Sequence, residues 1–237
     1  RAAAPRRGKS ACPEARSNVR SFGPFGEPGR PPVKMPVALI DLIAAHQLKE
    51  AILLALLHRA QTGEGSVVST SLMESALASL ANQASNYLMT GQVPQRMGTQ
   101  HPNIAPYGDI FNCADGRPVL LAVGTERQFR GLCEVLSLEW LLEAPDFQTN
   151  TARVSNRAEL NEVLSVAIST KLFDELMPLL HEACVPAARI RDMRSVFELP
   201  EAQKMVLEEM SPRGTPAKRI KTVSFALHFN SDTNNAS

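Results

Sequence analysis

The chain has 237 residues, 25 basic against 24 acidic side chains and an apolar fraction of 44%. That length allows one large domain or two smaller ones with a substantial core, and so even a charge calls for no nucleic-acid or membrane-surface partner. Cys12, Cys113, Cys133 and Cys184 are far apart and form neither a CxxC pair nor a Cys/His cluster, which argues against a disulfide framework or a metal site and for reduced thiols in a cytoplasmic protein.

Residues 1–34 carry eight basic side chains against Glu14 and Glu27 and lack apolar periodicity. They read as an irregular, solvated basic arm followed by a turn-rich approach from Gly26 to Pro32. The first residues are charged with no apolar stretch behind them, so no signal peptide is expected. A start on Arg rather than Met points to a fragment or a processed product.

Met35 to Leu57 is the organising apolar run, a helix extending to about Ala60. Asp41, His46, Gln47, Lys49 and Glu50 interrupt it too often for a membrane span. At helical spacing Asp41 shares a face with Ala45, Leu48, Ile52 and Leu56, so that face and its carboxylate are expected to be buried. Two readings of Asp41 stand side by side. It is an N-cap for the helix, or a partly dehydrated carboxylate that the helix N-terminus keeps ionised and ready to act as nucleophile or base.

Thr62-Gly63-Glu64-Gly65 closes this helix, and Val67 to Thr70 is β-prone. Ser71-Leu72-Met73-Glu74 is a capping box opening a helix to about Met89. Thr90 to Pro106 is a long loop and the expected boundary between two parts of the chain. Tyr107 to Cys113 and Pro118 to Val123 alternate as strands around the hairpin signal Asp115-Gly116. Thr125-Glu126-Arg127-Gln128 is a second capping box, for a helix to about Leu136. A helical turn at 140–143, a polar connection at 150–157 and helices at 157–170 and 172–183 follow. Short elements then alternate: a strand at 185–190, helical turns at 193–197 and 201–204, strands at 206–210 and 219–227, and a polar tail from Asn230. Such alternation indicates an α/β protein.

Several stretches taken together resemble the family III CoA-transferases, also called the CaiB/BaiF family. They are Gly26-Glu27-Pro28 through Lys34, Val37 to Leu42, Arg59 to Gly65, Ser69 to Ala76, His101 to Tyr107, Asp115-Gly116, Gln128-Phe129 and Asn150 to Arg157, in matching order over about residues 26–225. The resemblance implies part of a Rossmann-like large domain plus a smaller α+β domain: a basic arm at 1–21, a large-domain portion at 22–92, the small domain with linkers at 93–204, and a return to the large domain with the tail at 205–237. It implies that Asp41 is the catalytic aspartate. Its carboxylate would attack an acyl-CoA thioester to form a mixed anhydride, CoA thiolate would convert this to an aspartyl-CoA thioester, and an incoming carboxylic acid would leave as the new acyl-CoA.

The same resemblance makes Gly98, Gln100 and His101 candidate substrate-binding residues, in the region where several relatives carry a glycine-rich flap. It implies coenzyme A as a substrate, no separate cofactor or metal, and a homodimer that binds neither nucleic acid nor membrane. Family members have further residues before the aspartate that form most of the CoA site, whereas forty precede Asp41 here, and Ala44-Ala45 stands where many relatives have Thr-Gly. Two other readings follow. One is an α-methylacyl-CoA racemase-like enzyme, against which the absence of a histidine before Asp41 weighs. The other is a truncated, non-catalytic homologue acting as an interaction protein. His46 and Glu50, one helical turn apart, read as a solvated face rather than an acid/base pair.

Overall fold

The computed structural model describes residues 26–33, 35–212, 214–222 and 224. The predicted basic arm at 1–21 and the tail from Asn230 lie outside these residues. Contacts between residues divide the chain into two compact units, 1–188 and 189–237, and helices and strands alternate in an α/β arrangement.

In the first unit, α1 spans Leu39–Thr62 and ends as predicted, with Gly63 in a left-handed conformation donating its N–H to Arg59 O. Its orientation corrects the sequence reading. Of its 24 residues only Ala44 is buried, while Asp41, Ala45, Ile52 and Leu56 are exposed. The helix packs through small and polar side chains, Ala44 and Gln47, against α2 (Leu72–Ala78), where Ser75 Oγ donates to Gln47 Oε1 at 2.9 Å. Small residues let the two backbones approach closely, and the leucines are turned away; Leu53 and Leu54 are 59% and 68% exposed.

Ser71 caps α2, accepting the Glu74 N–H. The helix predicted to run from 72 to 89 is instead two, α2 and α3 (Ala81–Thr90), with Ala81 at a positive φ of 44° between them. Ser79 Oγ donates to Ala76 O at 2.7 Å, a side-chain bond that competes with the backbone ladder where the helix breaks. Val67 to Thr70 forms no strand.

The hairpin forms as expected. Strand β1 (Tyr107–Asn112) pairs antiparallel with β2 (Pro118–Ala122), and Gly116 turns with φ +74°. A third strand, β3 (Ala187–Arg189), lies on the other side of β2, where Ala122 N donates to Pro186 O. Helix α4 (Glu126–Leu136) carries the full Thr125/Gln128 capping box. It is followed by a 3₁₀ turn (Glu139–Leu142) and by α5 (Asn150–Ser155), α6 (Arg157–Ser169) and α7 (Phe173–Glu182). Helix α5 replaces the predicted polar connection because Thr149 caps it, accepting the Ala152 N–H. One face of the β1–β2 sheet and the inner faces of α4, α6 and α7 bury Val119, Leu121, Phe129, Leu132, Leu164 and Leu180 in the unit's core.

In the second unit, short helices α8 (Met193–Val196) and α9 (Pro200–Gln203) precede a hairpin of β4 (Val206–Met210) and β5 (Pro216–Ile220). Strand β5 starts three residues earlier than the strand predicted from 219. The turn from Ser211 to Thr215, in which Ser211 N donates to Thr215 O at 2.8 Å, brings Pro216 opposite Met210. No helix among the described residues is long and apolar enough to cross a membrane.

Candidate functional site

Asp41 is the third residue of α1. The residue before the helix, Ala38, has no side-chain oxygen to cap it; Leu39 N–H donates to Val37 O at 2.8 Å, which leaves the N–H groups of Ile40 and Asp41 and the positive end of the helix dipole open to an anion. This rules out the N-cap reading of Asp41, which lies inside the first turn. Its carboxylate accepts no hydrogen bond and joins no ion pair among the described residues. The expectation of a dehydrated carboxylate is also corrected: Asp41 is exposed, because α1 turns a different face toward α2.

Asp41 nevertheless lines a cavity of about 620 Å³, and Gly98, Gln100 and His101 line the same cavity. Apolar residues of the approach and of α1, including Val37 and Ile40, form much of the remaining wall, with Ser79, Asn82 and Tyr107 contributing polar groups. The sequence separates these residues by some sixty positions, and the fold brings them to one hollow.

The three candidates on the loop are held differently. Gly98 has φ +63°, its N–H donates to Gly26 O at 2.9 Å, and a Cβ there would come within 2.9 Å of the Glu27 carboxylate. The backbone conformation favours glycine here, whereas the Glu27 carboxylate, at the end of an exposed flexible side chain, is free to move aside. Gln100 commits its amide, Nε2 donating to Asp109 Oδ1 at 2.7 Å. His101 Nδ1 accepts the Asn103 N–H at 3.2 Å, its Nε2 faces the Asn82 side chain at 3.2 Å, and its ring meets Tyr107 edge to face. With Nδ1 as acceptor the proton sits on Nε2; the Asn82 atom placed toward it is Nδ2, so the Asn82 amide accepts that proton only when turned to present its oxygen. Burial, then the Arg157 guanidinium, hold the imidazole pKa below its ordinary value, so a neutral ring faces the cavity.

His46 and Glu50 make no such site. His46 Nδ1 lies 3.0 Å from Lys49 Nζ on an exposed face.

Sequence reasoning missed the buried polar centre behind the loop. Asp109, on β1, is 2% exposed and pairs with Arg157 at the start of α6, itself 8% exposed. Arg153, 2% exposed, lies over the Phe129 ring and donates to Glu126 and to Ala105 O. A signal was available in two arginines only four residues apart in a stretch read as a connection, although the structure places Arg153 and Arg157 on separate helices, α5 and α6. Asp109 is likewise a carboxylate within an alternating strand.

The chain is similar to known proteins over most of its length. The model of CoA-transferase family III matches residues 4–236, further at both ends than the stretches singled out above. The chain is 35% identical over 178 residues to a succinate–glutarate CoA-transferase of Agrobacterium fabrum, covering 75% of this chain and 44% of that protein. It is 30% identical over 199 residues to an acetyl-CoA:oxalate CoA-transferase of Acetobacter aceti, covering 81% of this chain and 50% of that one. Among solved structures, a CaiB/BaiF family protein from Brucella suis superposes with a TM-score of 0.62 at 35% identity, over 90% of this chain and 55% of that one. The chain thus spans about half the length of the curated relatives it matches.

Proposed function

This chain belongs to CoA-transferase family III, and from that premise we propose that it moves CoA from an acyl-CoA to a carboxylic acid through a covalent intermediate on Asp41. One observation carries the reading: an uncommitted carboxylate in the first turn of an uncapped helix opens onto a cavity of about 620 Å³ shared with Gly98, Gln100 and His101.

In this reading an Asp41 oxygen attacks the thioester carbonyl, the C–S bond breaks, and CoA thiolate leaves behind a mixed anhydride. The thiolate attacks the Asp41 carbonyl, releasing the donor acid and leaving an aspartyl-CoA thioester. The incoming carboxylate attacks that thioester and expels the thiolate, giving a second anhydride. The thiolate then takes the new acyl group and frees Asp41. No proton or electron is gained or lost, so the scheme needs no general base and no cofactor, with CoA serving as substrate. The open helix N-terminus stabilises the carboxylate between attacks and the thiolate as it departs. The neutral His101 ring adds an apolar, hydrogen-bonded wall without trapping the anionic substrate as an ion pair.

The relatives' names support a dicarboxylic acid as acceptor. We read the assembly as a homodimer, consistent with the exposed leucine side of α1.

The test is to incubate the chain with succinyl-CoA, add borohydride, and map the product by peptide mass spectrometry. Reduction of the aspartyl thioester converts Asp41 to homoserine, and an Asp41→Asn chain remains unmodified. A chain that turns over succinyl-CoA and a dicarboxylate yet keeps Asp41 intact under borohydride contradicts the proposal. Exchange of a substrate α-proton without an adduct assigns the racemase-like activity instead.

A further inference from the structure

The buried pair behind the loop is charged, hydrogen-bonded on both sides and used by nothing in the scheme above. Asp109 Oδ1 accepts from Gln100 Nε2 at 2.7 Å and from Asn161 Nδ2 at 2.8 Å, and Oδ2 accepts from Tyr107 N at 2.9 Å and Arg157 Nη1 at 3.3 Å. Arg157 Nη2 donates to the carbonyls of His101 at 2.6 Å and Ile104 at 2.9 Å. With all four carboxylate contacts taken, Asp109 has no role as a base. Burying such a pair is costly, and an apolar pair of similar volume is often as stable. A reason beyond stability is therefore called for.

The contacts all lead to one place. Gln100, His101 and Tyr107 line the Asp41 cavity, and the same 150–157 segment takes the neighbouring backbone. Asn150 Nδ2 donates to Asn103 O, Asn150 Oδ1 accepts from Ala105 N, and Arg153 Nε donates to Ala105 O. The carbonyls of residues 101, 103, 104 and 105 are thus all held from α5 and α6. Along the cavity wall the N–H groups of Gly98, Gln100 and His101 are bonded to Gly26 O, Met97 O and Tyr107 O. Thr99, between them, has a backbone N–H and a hydroxyl with no hydrogen-bond partner among the described residues, and it lines the cavity too.

We propose that Asp109 and Arg157 are a positioning pair, which fixes the stretch from Gly98 to Ala105 so that Thr99, Gln100 and His101 face the Asp41 cavity in one geometry. The pair touches neither substrate nor reacting atoms. It acts through the loop, and its assignment as an aid to reaction rests on the reading of Asp41 as nucleophile.

The experiment compares the full chain with Arg157→Met and Arg157→Lys by two readouts. The first is the rate of borohydride-trapped Asp41 modification as a function of succinyl-CoA concentration. Arg157→Met is expected to lower the saturating rate on the order of 100-fold, the effect of a displacement of about 1 Å on a reacting geometry, with the half-saturating concentration unchanged. Arg157→Lys, which keeps the charge and a donor nitrogen but loses the planar fork, is expected to recover part of that rate. A merely structural role reduces the fraction of chain that reacts and leaves the rate of that fraction untouched. The second readout is the ¹⁵N spectrum of His101, expected to report a neutral ring protonated at Nε2 in the wild type and a changed tautomer balance in Arg157→Met. If Arg157→Met folds and both rate and spectrum match wild type, the proposal is overturned. If Arg157→Met does not fold, the same comparison is made on Arg157→Lys. If the wild-type chain shows no trapping, the Asp41 reading fails, and the His101 spectrum alone decides whether the pair positions the loop.

Discussion

Gly108 offers the sharpest perturbation of the loop, because it sits on β1 directly against the cavity wall. Its φ is +81°, and a Cβ built on it would lie 2.0 Å from the Thr99 carbonyl oxygen and 3.0 Å from the Thr99 carbonyl carbon. An Ala here meets two costs. Holding an L-residue in the left-handed region costs about 1–2 kcal/mol. Removing the clash requires the Thr99 peptide to retreat by about 1 Å, and overpacking of that kind costs about 1–3 kcal/mol. Gly108→Ala should therefore destabilise the chain by about 2–5 kcal/mol. Gly116→Ala separates the two costs, since Gly116 has a similar φ of +74° with nothing within 4 Å, and should lose only about 1–2 kcal/mol. Urea unfolding of both variants measures the difference. The displaced Thr99 also predicts that folded Gly108→Ala is trapped at Asp41 on the order of 100-fold more slowly, whereas Gly116→Ala reacts normally. Equal unfolding free energies for the two variants would refute the argument that Thr99 and Gly108 are in contact.

Three further outcomes follow from the same geometry. Asp41→Asn should cost no more than about 1 kcal/mol, the loss of a first-turn carboxylate from the helix dipole, because the side chain is exposed and makes no bond to a described residue; a larger loss by urea unfolding would mean that Asp41 has a structural partner. His101 has its pKa lowered in the folded chain by burial and by Arg157, so the unfolded chain binds the proton more readily. Its contribution to stability is fully present above the ordinary value of about 6.5 and is lost as pH falls through that value toward the folded one. Urea midpoints at about pH 7.5 and about pH 5.5 should differ more for wild type than for His101→Asn, and identical pH dependence would contradict this. Burial pushes the Cys133 thiol up to about 12, which leaves about one thiol in ten thousand ionised at pH 8. Iodoacetamide at that pH should modify exposed Cys184 and spare buried Cys113 and Cys133; mass spectrometry showing Cys133 alkylated in the native chain would contradict the burial.

Elements set by local chemistry could be read from the residues themselves. The capping box at Thr125 and Gln128, the turn at Asp115-Gly116 and the closing glycine at Gly63 each act within a few residues, and all appear where expected. The strand from Val206 to Met210 was likewise legible from its own run. What escaped depends on contacts distant in sequence. Periodicity assigned the bulky face of α1 to the core, but the helix packs by Ala44 and Gln47 on Ser75, a choice made by close approach to α2 rather than by apolar content. The break near Ser79 turns on one hydroxyl bonding back to Ala76 O. At the site, the resemblance picked out Asp41 and the Gly98–His101 loop, which line one cavity, while Asp109 and Arg157 went unnoticed because their partnership spans 48 positions. The polar segment 150–157 looked like a connection and is the frame of that loop.

The central claim is that Asp41 exchanges an oxygen with its substrate acid, and isotope transfer tests it directly. The chain is given an acyl-CoA donor and a dicarboxylic acid labelled with ¹⁸O in its carboxylates, and the peptide containing Asp41 is weighed after turnover. Attack of the labelled acid on the aspartyl thioester, followed by acyl transfer to the thiolate, leaves one labelled oxygen on Asp41. The account predicts ¹⁸O in that peptide, absent from an Asp41→Asn chain; turnover that leaves Asp41 unlabelled would contradict it.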